Sequence, residues 1–384
     1  MILMLAISCC ILFACSQSGD DVSQPAEPDT PSESEIRSAN MSAKEGVEYG
    51  EDIEIEYDSV ITGAKKHAMV TLPKDYTQDK SYPVLYLLHG INCDHHAWLD
   101  DCNAKYIVQN LVNDGKAQEM IIVSVNSIVT EDEVAPSISD ETYAPMFDLT
   151  GDEIATSLMP YVNSHFSTLT DKQNTAVAGF SMGGREALLT AFAHQELFDY
   201  VGAFSSSGFA DKVVSYDTTV PDFRYDEGQS FELVMLAIGN FDMWTGIFTP
   251  AIKAKLDENG VEYVSRTYVG IHSYSVWKNA LYDFVQELFR QEIYFTLSNA
   301  DKSVAKEHTR PNENVRRHYK HKLKISAHNP SYKIAYYKKQ KPFCLYRMRW
   351  QKGFFNQKSV GYFVPKMRSP ASPSPGRIYP FSLS

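Results

Sequence analysis

The sequence predicts an α/β fold, a mostly parallel central sheet with helices on both faces. Short apolar runs alternate with helical segments from about residue 83 onward, the pattern that lays parallel strands side by side. Two of the runs, Pro83-Val-Leu-Tyr-Leu-Leu88 and Phe231-Glu-Leu-Val-Met-Leu-Ala-Ile238, are almost wholly apolar, as strands covered on both faces must be. Between them, Val177-Ala-Gly-Phe-Ser181-Met-Gly-Gly-Arg-Glu-Ala187 passes directly from strand to turn to helix. That passage holds Gly179-Phe-Ser181-Met-Gly183, the G-x-S-x-G of a nucleophile elbow, and it narrows the expectation to an α/β-hydrolase fold.

Taken in order, strands are expected near 53–58 and 67–72, forming an antiparallel edge. The strand at 83–88 runs into His89-Gly90, and a helix follows near 103–114. A strand at 120–125 and a helix at 151–165 lead to the strand at 175–179 and the helix at 183–194. Strands at 200–205 and 232–238 come next, the second ended by Gly239-Asn240. A helix at 249–259 stops at Gly260, a strand at 262–269 stops at Gly270, and a last helix spans 276–290.

The chemistry explains the glycines of the elbow. A serine hydroxyl that stands clear of a sheet sits on a strained turn, whose flanks need residues without a Cβ. A bare G-x-S-x-G is a weak signal, and a glycine-rich turn in another βα unit is the bland alternative. The strand before, the helix after and the extra Gly184 strengthen it. In this fold the acid and the base follow the nucleophile in that order. Asp242 lies just past the strand at 232–238 and His272 just past the strand at 262–269, so both fall at the sheet end where Ser181 should be. Singly, Asp242 reads equally well as a cap and His272 as a surface histidine; order and placement together make a Ser181–Asp242–His272 triad. The oxyanion hole needs one amide from the residue after the nucleophile, Met182, and one from the loop after the 83–88 strand, for which Ile91 is the candidate.

At this point the residues resemble a known family. Val70-Thr-Leu-Pro-Lys-Asp-Tyr76, Tyr82-Pro-Val-Leu-Tyr-Leu-Leu-His-Gly90 with Trp98, Met120-Ile-Ile-Val-Ser-Val-Asn126, Leu158-Met-Pro-Tyr-Val162, Gly179-Phe-Ser-Met-Gly-Gly184 and His272 with Trp277 and Leu281 are similar to the esterase-D-type hydrolases of carbohydrate esterase family one. The resemblance covers about residues 50–292. It implies a serine esterase acting through an acyl-enzyme on feruloyl or acetyl esters of plant cell-wall polysaccharide, without cofactor, with Trp98 and Trp277 as substrate-binding residues. It leaves open an acyltransferase that uses a sugar acceptor on the same triad. A non-catalytic binding lipoprotein is the third reading, and a complete triad argues against it. Ile271 departs from the pattern, since the family usually has a second glycine before the histidine.

The ends of the chain read differently. Ile2 to Phe13 is apolar, too short to span a bilayer, and runs into Leu12-Phe-Ala-Cys15-Ser16. Residues 1–15 are therefore expected to be a lipoprotein signal, with membrane attachment through a lipid on Cys15, and the protein a secreted cell-envelope lipoprotein. Residues 16–48, rich in Ser, Glu, Pro and Asp, are expected to form a disordered polar tether. The esterase domain takes 49–295, and 296–384 reads as a basic segment, disordered or misjoined to the gene.

Charge follows the same division. Residues 1–298 carry a net −28 and residues 299–384 a net +16. A body so acidic repels phosphates, and no nucleic acid partner is expected. His89, Asp94, His95 and His96 lie close together in sequence, but no second ligand pair at a recognisable spacing follows, so no metal is expected. Cys93 and Cys102 fall in the same stretch, and their spacing leaves the paired and the free state equally open.

Overall fold

Residues 52–58 open the sheet with inward and outward side chains alternating toward their end, residues 65–71 follow, and the next four strands are buried from end to end. In a computed structural model, which describes residues 31–290 except Val214, the strands are β1 (Asp52–Asp58), β2 (Lys65–Thr71), β3 (Val84–Leu88), β4 (Ile121–Val125), β5 (Thr175–Phe180), β6 (Tyr200–Phe204), β7 (Leu233–Gly239) and β8 (Val264–Tyr268). Each expected strand is present to within two residues at either end. They form one sheet in the order β1-β2-β4-β3-β5-β6-β7-β8. β1 and β2 pair antiparallel with their neighbours, and all pairs from β4-β3 to β7-β8 are parallel.

The helices are α1 (Glu33–Ala39), α2 (Ala97–Asp100), α3 (Ala104–Asn113), α4 (Tyr143–Asp148), α5 (Thr150–Glu153), α6 (Met159–His165), α7 (Met182–Ala193), α8 (Thr249–Glu258) and α9 (Tyr274–Val285). Between α5 and α6 the helix widens over Ile154–Leu158 into a π-helical stretch that leads into Pro160 at the start of α6. A proline donates no amide hydrogen bond, and a widened turn is where a helix absorbs such a gap. Two apolar layers sandwich the sheet. One gathers Val84, Tyr86, Val123 and Val177 with Leu158 and Leu188, and the other gathers Leu85, Leu87, Ile122 and Ala178 with Ile107, Trp98 and Leu281. Alternate residues of one strand thus enter opposite layers, as the pleat requires. No helix among the described residues is long and apolar enough to cross a membrane.

The expectation of a disordered tether over 16–48 fails for its second half. Ser32 caps α1 in a capping box with Glu35. Arg37 then grips α9, pairing with Asp283 at 2.7 Å, hydrogen-bonding Asn279 at 3.3 Å and lying 4.3 Å over the Tyr282 ring. Asn40 is fully buried and donates to Asp114 at 2.8 Å, while Asn110 donates back to the Asn40 and Ser42 carbonyls. A composition so poor in apolar residues builds no core of its own, and only Met41 among them packs against the core of the sheet. The segment is held chiefly by polar groups that find partners on α3 and α9. The signal at 1–15, the first part of the tether and the basic segment from 296 lie outside the described residues.

Candidate active site

The elbow is a matter of close approach. Ser181, between β5 and α7, has φ 58° and ψ −117°, a conformation that costs a residue with a Cβ of order 1–3 kcal/mol. A Cβ on Gly179 would lie 2.1 Å from the Gly183 carbonyl oxygen, and one on Gly183 would lie 2.2 Å from that of Leu88. Only hydrogen fits at either position. Replacing Gly183 with Ala must push α7 off the end of β3, and the expected result is a loss of about 3 kcal/mol in a urea titration together with most of the esterase activity. An unchanged unfolding midpoint would show that the contact is loose.

Asp242 follows β7 and is buried in its own turn. Its Oδ1 accepts the backbone N–H groups of Trp244 and Thr245 at 3.1 and 3.0 Å, and its Oδ2 accepts the Thr245 hydroxyl at 2.9 Å. Burial alone would raise this carboxyl. The hydrogen bonds, with that from His272 the strongest, outweigh burial and hold it at about 2, so it is an anion at neutral pH. An anion only accepts, which fixes the tautomer of His272. Its Nδ1–H donates to Asp242 Oδ2 at 2.8 Å, its Nε2 is left as an acceptor, and the Ser181 hydroxyl donates to it at 2.9 Å. The two loops are tied to each other as well: the Phe241 amide donates to the Gly270 carbonyl at 2.9 Å and the Gly270 amide to Asn240 Oδ1 at 3.0 Å.

The loop after β3 passes directly over the nucleophile, since a Cβ on Gly90 would lie 3.1 Å from that of Ser181. Met182 is the first residue of α7, where a helix N–H has no partner within the helix. Ile91 is half-buried against a small cluster that includes Met182, Tyr143 and Phe147. Met182 thus adjoins Ser181 in the chain, and Ile91 follows the glycine that passes over it and packs against the Met182 cluster.

Trp98 corrects an expectation. Trp98 is fully buried, donates its Nε1–H to the Leu88 carbonyl at 2.8 Å and packs 5.0 Å from Phe180, so it belongs to the core beneath the elbow and touches no substrate. Trp277 is 6% exposed, stacks on Phe180 at 4.2 Å and meets the His272 ring in a T-shaped contact at 4.9 Å. It backs the imidazole. The exposed apolar side chains lie elsewhere: Phe241, Met243 and Trp244 flank Asp242, and Val269 and Ile271 flank His272. Trp244, 79% exposed, carried no signal in the sequence beyond being next to an expected acid.

His89 does more than end a strand. It is fully buried; its Nδ1–H donates to the Gly90 carbonyl at 2.8 Å and its Nε2 accepts the Ser127 amide at 3.0 Å. Burial lowers its pKa to about 4 against an ordinary value of 6.5. The unfolded chain therefore takes up a proton that the folded chain refuses. Stability is complete above pH 6.5 and falls as the pH drops toward 4, by about 3 kcal/mol in all. Urea midpoints measured between pH 7 and 4 should show this slope, and His89→Asn should flatten it. Cys93 and Cys102 are both free thiols.

Comparison with known proteins agrees with this geometry. The Esterase family model matches residues 59–288. The chain is 31% identical to a CE1 ferulic acid esterase from the anaerobic fungus Anaeromyces mucronatus, covering 65% of this chain and 94% of that one, with a TM-score of 0.58. The same enzyme solved in complex with ferulic acid superposes with a TM-score of 0.58 at 30% identity, again over 65% and 94% of the two chains. An endo-1,4-beta-xylanase/feruloyl esterase from Xylanibacter ruminicola is 27% identical over 253 residues, which are 64% of this chain and 32% of that protein. This chain thus spans about a third of that relative. On its fold, its matched residues and its nucleophile elbow, the chain belongs to the Esterase family and is a serine esterase of the carbohydrate esterase family one type.

Proposed function

We propose that the protein hydrolyses feruloyl or acetyl esters carried on plant cell-wall polysaccharide, with Ser181, His272 and Asp242 as its catalytic residues. The observation that carries the reading is the unbroken hydrogen-bond chain from Ser181 Oγ through His272 to Asp242. Ser181 Oγ attacks the ester carbonyl while His272 Nε2 takes its proton. Asp242 holds the imidazole in place and stabilises its charged form, and the amides of Met182 and Ile91 bind the oxyanion. The protonated His272 then returns its proton to the leaving sugar hydroxyl, and water releases the acid from Ser181 by the same steps in reverse.

The acyl group is argued from the relatives and from the rim. A relative solved in complex with ferulic acid supports an aryl acyl group, and the Phe241–Trp244 and Val269–Ile271 loops offer apolar surface beside both partners of Ser181. Export as an envelope lipoprotein attached through Cys15 fits a polymeric substrate that cannot enter a cell; its support is the apolar run that ends at that cysteine. The test is a hydrolysis panel on the whole chain with p-nitrophenyl acetate, methyl ferulate, acetylated xylan and a peptide amide. Turnover of methyl ferulate or acetylated xylan, with the amide untouched, is the expected result. A protein active on p-nitrophenyl acetate alone would remove the cell-wall substrate while leaving the esterase in place.

A further inference from the structure

On the antiparallel edge of the sheet, Glu54 of β1 meets the end of the loop that follows β3. Glu54 Oε1 lies 3.0 Å from His95 Nε2 and 3.8 Å from His96 Nε2. One donor atom from each of the three residues lies within 4.8 Å of the other two. Sequence spacing could not show this, because the third group comes from a strand forty residues earlier. The set that sequence proximity suggested is broken up instead: His89 is buried against Gly90 and Ser127, and Asp94 Oδ1 accepts the His96 amide at 2.9 Å.

We infer that Glu54, His95 and His96 form a binding site for a divalent transition-metal ion of the zinc class. Two imidazoles and one carboxylate are the donor set such an ion prefers over the all-oxygen sets of calcium or magnesium, and three protein ligands leave the fourth tetrahedral position to water. Bonds of 2.0–2.1 Å put tetrahedral ligand atoms about 3.3 Å apart, so the group must close slightly. It is built to do so. His95 is buried at 8% exposure, with its ring held between those of His96 at 4.3 Å and His67 at 6.2 Å, and it is the fixed member. Glu54 is exposed and His96 half-exposed, so both side chains turn freely toward it.

The charges around the group are balanced, so the attraction for an ion rests on Glu54 itself. Glu56 and Glu133 stand around His67, which contacts them at 3.7 and 2.6 Å, while Lys65 and Lys66 pair with these same acids. For His95 to bind through Nε2, the proton that now joins it to Glu54 moves to Nδ1 of the neutral ring or, from a protonated ring, to solvent, and two metal–ligand bonds replace that hydrogen bond. The ion would then fasten β1 to the loop 89–96, whose first residues pass over Ser181.

The test is calorimetric titration of the full chain with zinc chloride, paired with thermal melts. The expected result is a site in the micromolar range or tighter and a melting temperature that rises with zinc, as binding to the folded state alone requires. Glu54→Gln and His96→Ala, both surface changes whose fold is checked by circular dichroism, should each weaken binding at least about tenfold and remove the zinc-dependent rise. Absence of binding below about 100 μM zinc overturns the site. So does binding that survives both substitutions, which would place the ion on other histidines such as His308, His318, His321 or His328.

Discussion

Ser181→Ala leaves a folded protein with no measurable ester hydrolysis. The substitution removes one oxygen from a residue that is 8% exposed, and the elbow is held by backbone contacts that alanine keeps: the residue-181 amide donates to the Phe204 carbonyl at 2.9 Å, and its carbonyl accepts from Ser207 at 3.0 Å. What disappears is the nucleophile, whose loss in serine hydrolases costs on the order of a million-fold in turnover. The measurement is p-nitrophenyl acetate turnover alongside a thermal melt. A variant that keeps more than about a hundredth of the activity with an unaltered melt would remove Ser181 from the mechanism.

Asp242→Asn is the second large effect, a fall in turnover on the order of ten-thousand-fold with little change in KM. The amide presents either an oxygen or an NH2 to His272 Nδ1. If the NH2 faces the ring, the ring carries its proton on Nε2 and cannot accept from Ser181. If the oxygen faces the ring, the charge that stabilises the imidazolium is still gone. Thr245 adds a complication that works in the same direction, because its hydroxyl and its amide both donate to the carboxylate and compete for the one oxygen the amide keeps. A nearly silent Asp242→Asn would require another acid to orient His272, and Asp217 and Asp222 are held in local contacts with Thr219, and with Arg224 and Asn259.

Sheet and elbow were legible because their signals are local. A strand buried on both faces must be apolar throughout, and β3 and β7 are. An elbow must lack Cβ atoms where backbone meets backbone, and Gly179 and Gly183 mark those points. Asp242 and His272 were legible through their places after β7 and β8, because the topology carries any residue there to one end of the sheet. What escaped notice depends on pairs far apart in the chain. The 31–48 segment looks like a tether until Arg37 meets Asp283 and Asn40 meets Asp114. Trp98 and Trp277 sit beside matched motifs, and sequence proximity to a site does not say which face of the site a ring packs against. Glu54 meets His95 only because the β1–β2 pair folds back along the sheet edge.

The backbone of Ser181 carries one more consequence. A residue with φ 58° and ψ −117° occupies ground that glycine enters freely and every other residue enters at a cost, so the reaction is bought with fold stability at this single position. Ser181→Gly and Ser181→Ala both lack the hydroxyl and both lose its bond to His272; in the folded state they differ chiefly in that conformational cost. Glycine also gains freedom in the unfolded chain, which offsets part of the relief. The glycine variant is nonetheless expected to unfold at a higher urea concentration than the alanine variant, by about 1 kcal/mol, with both inactive. An enzyme of this design is selected against its own most comfortable sequence, and a drift toward a sturdier, catalytically dead protein lies one substitution away.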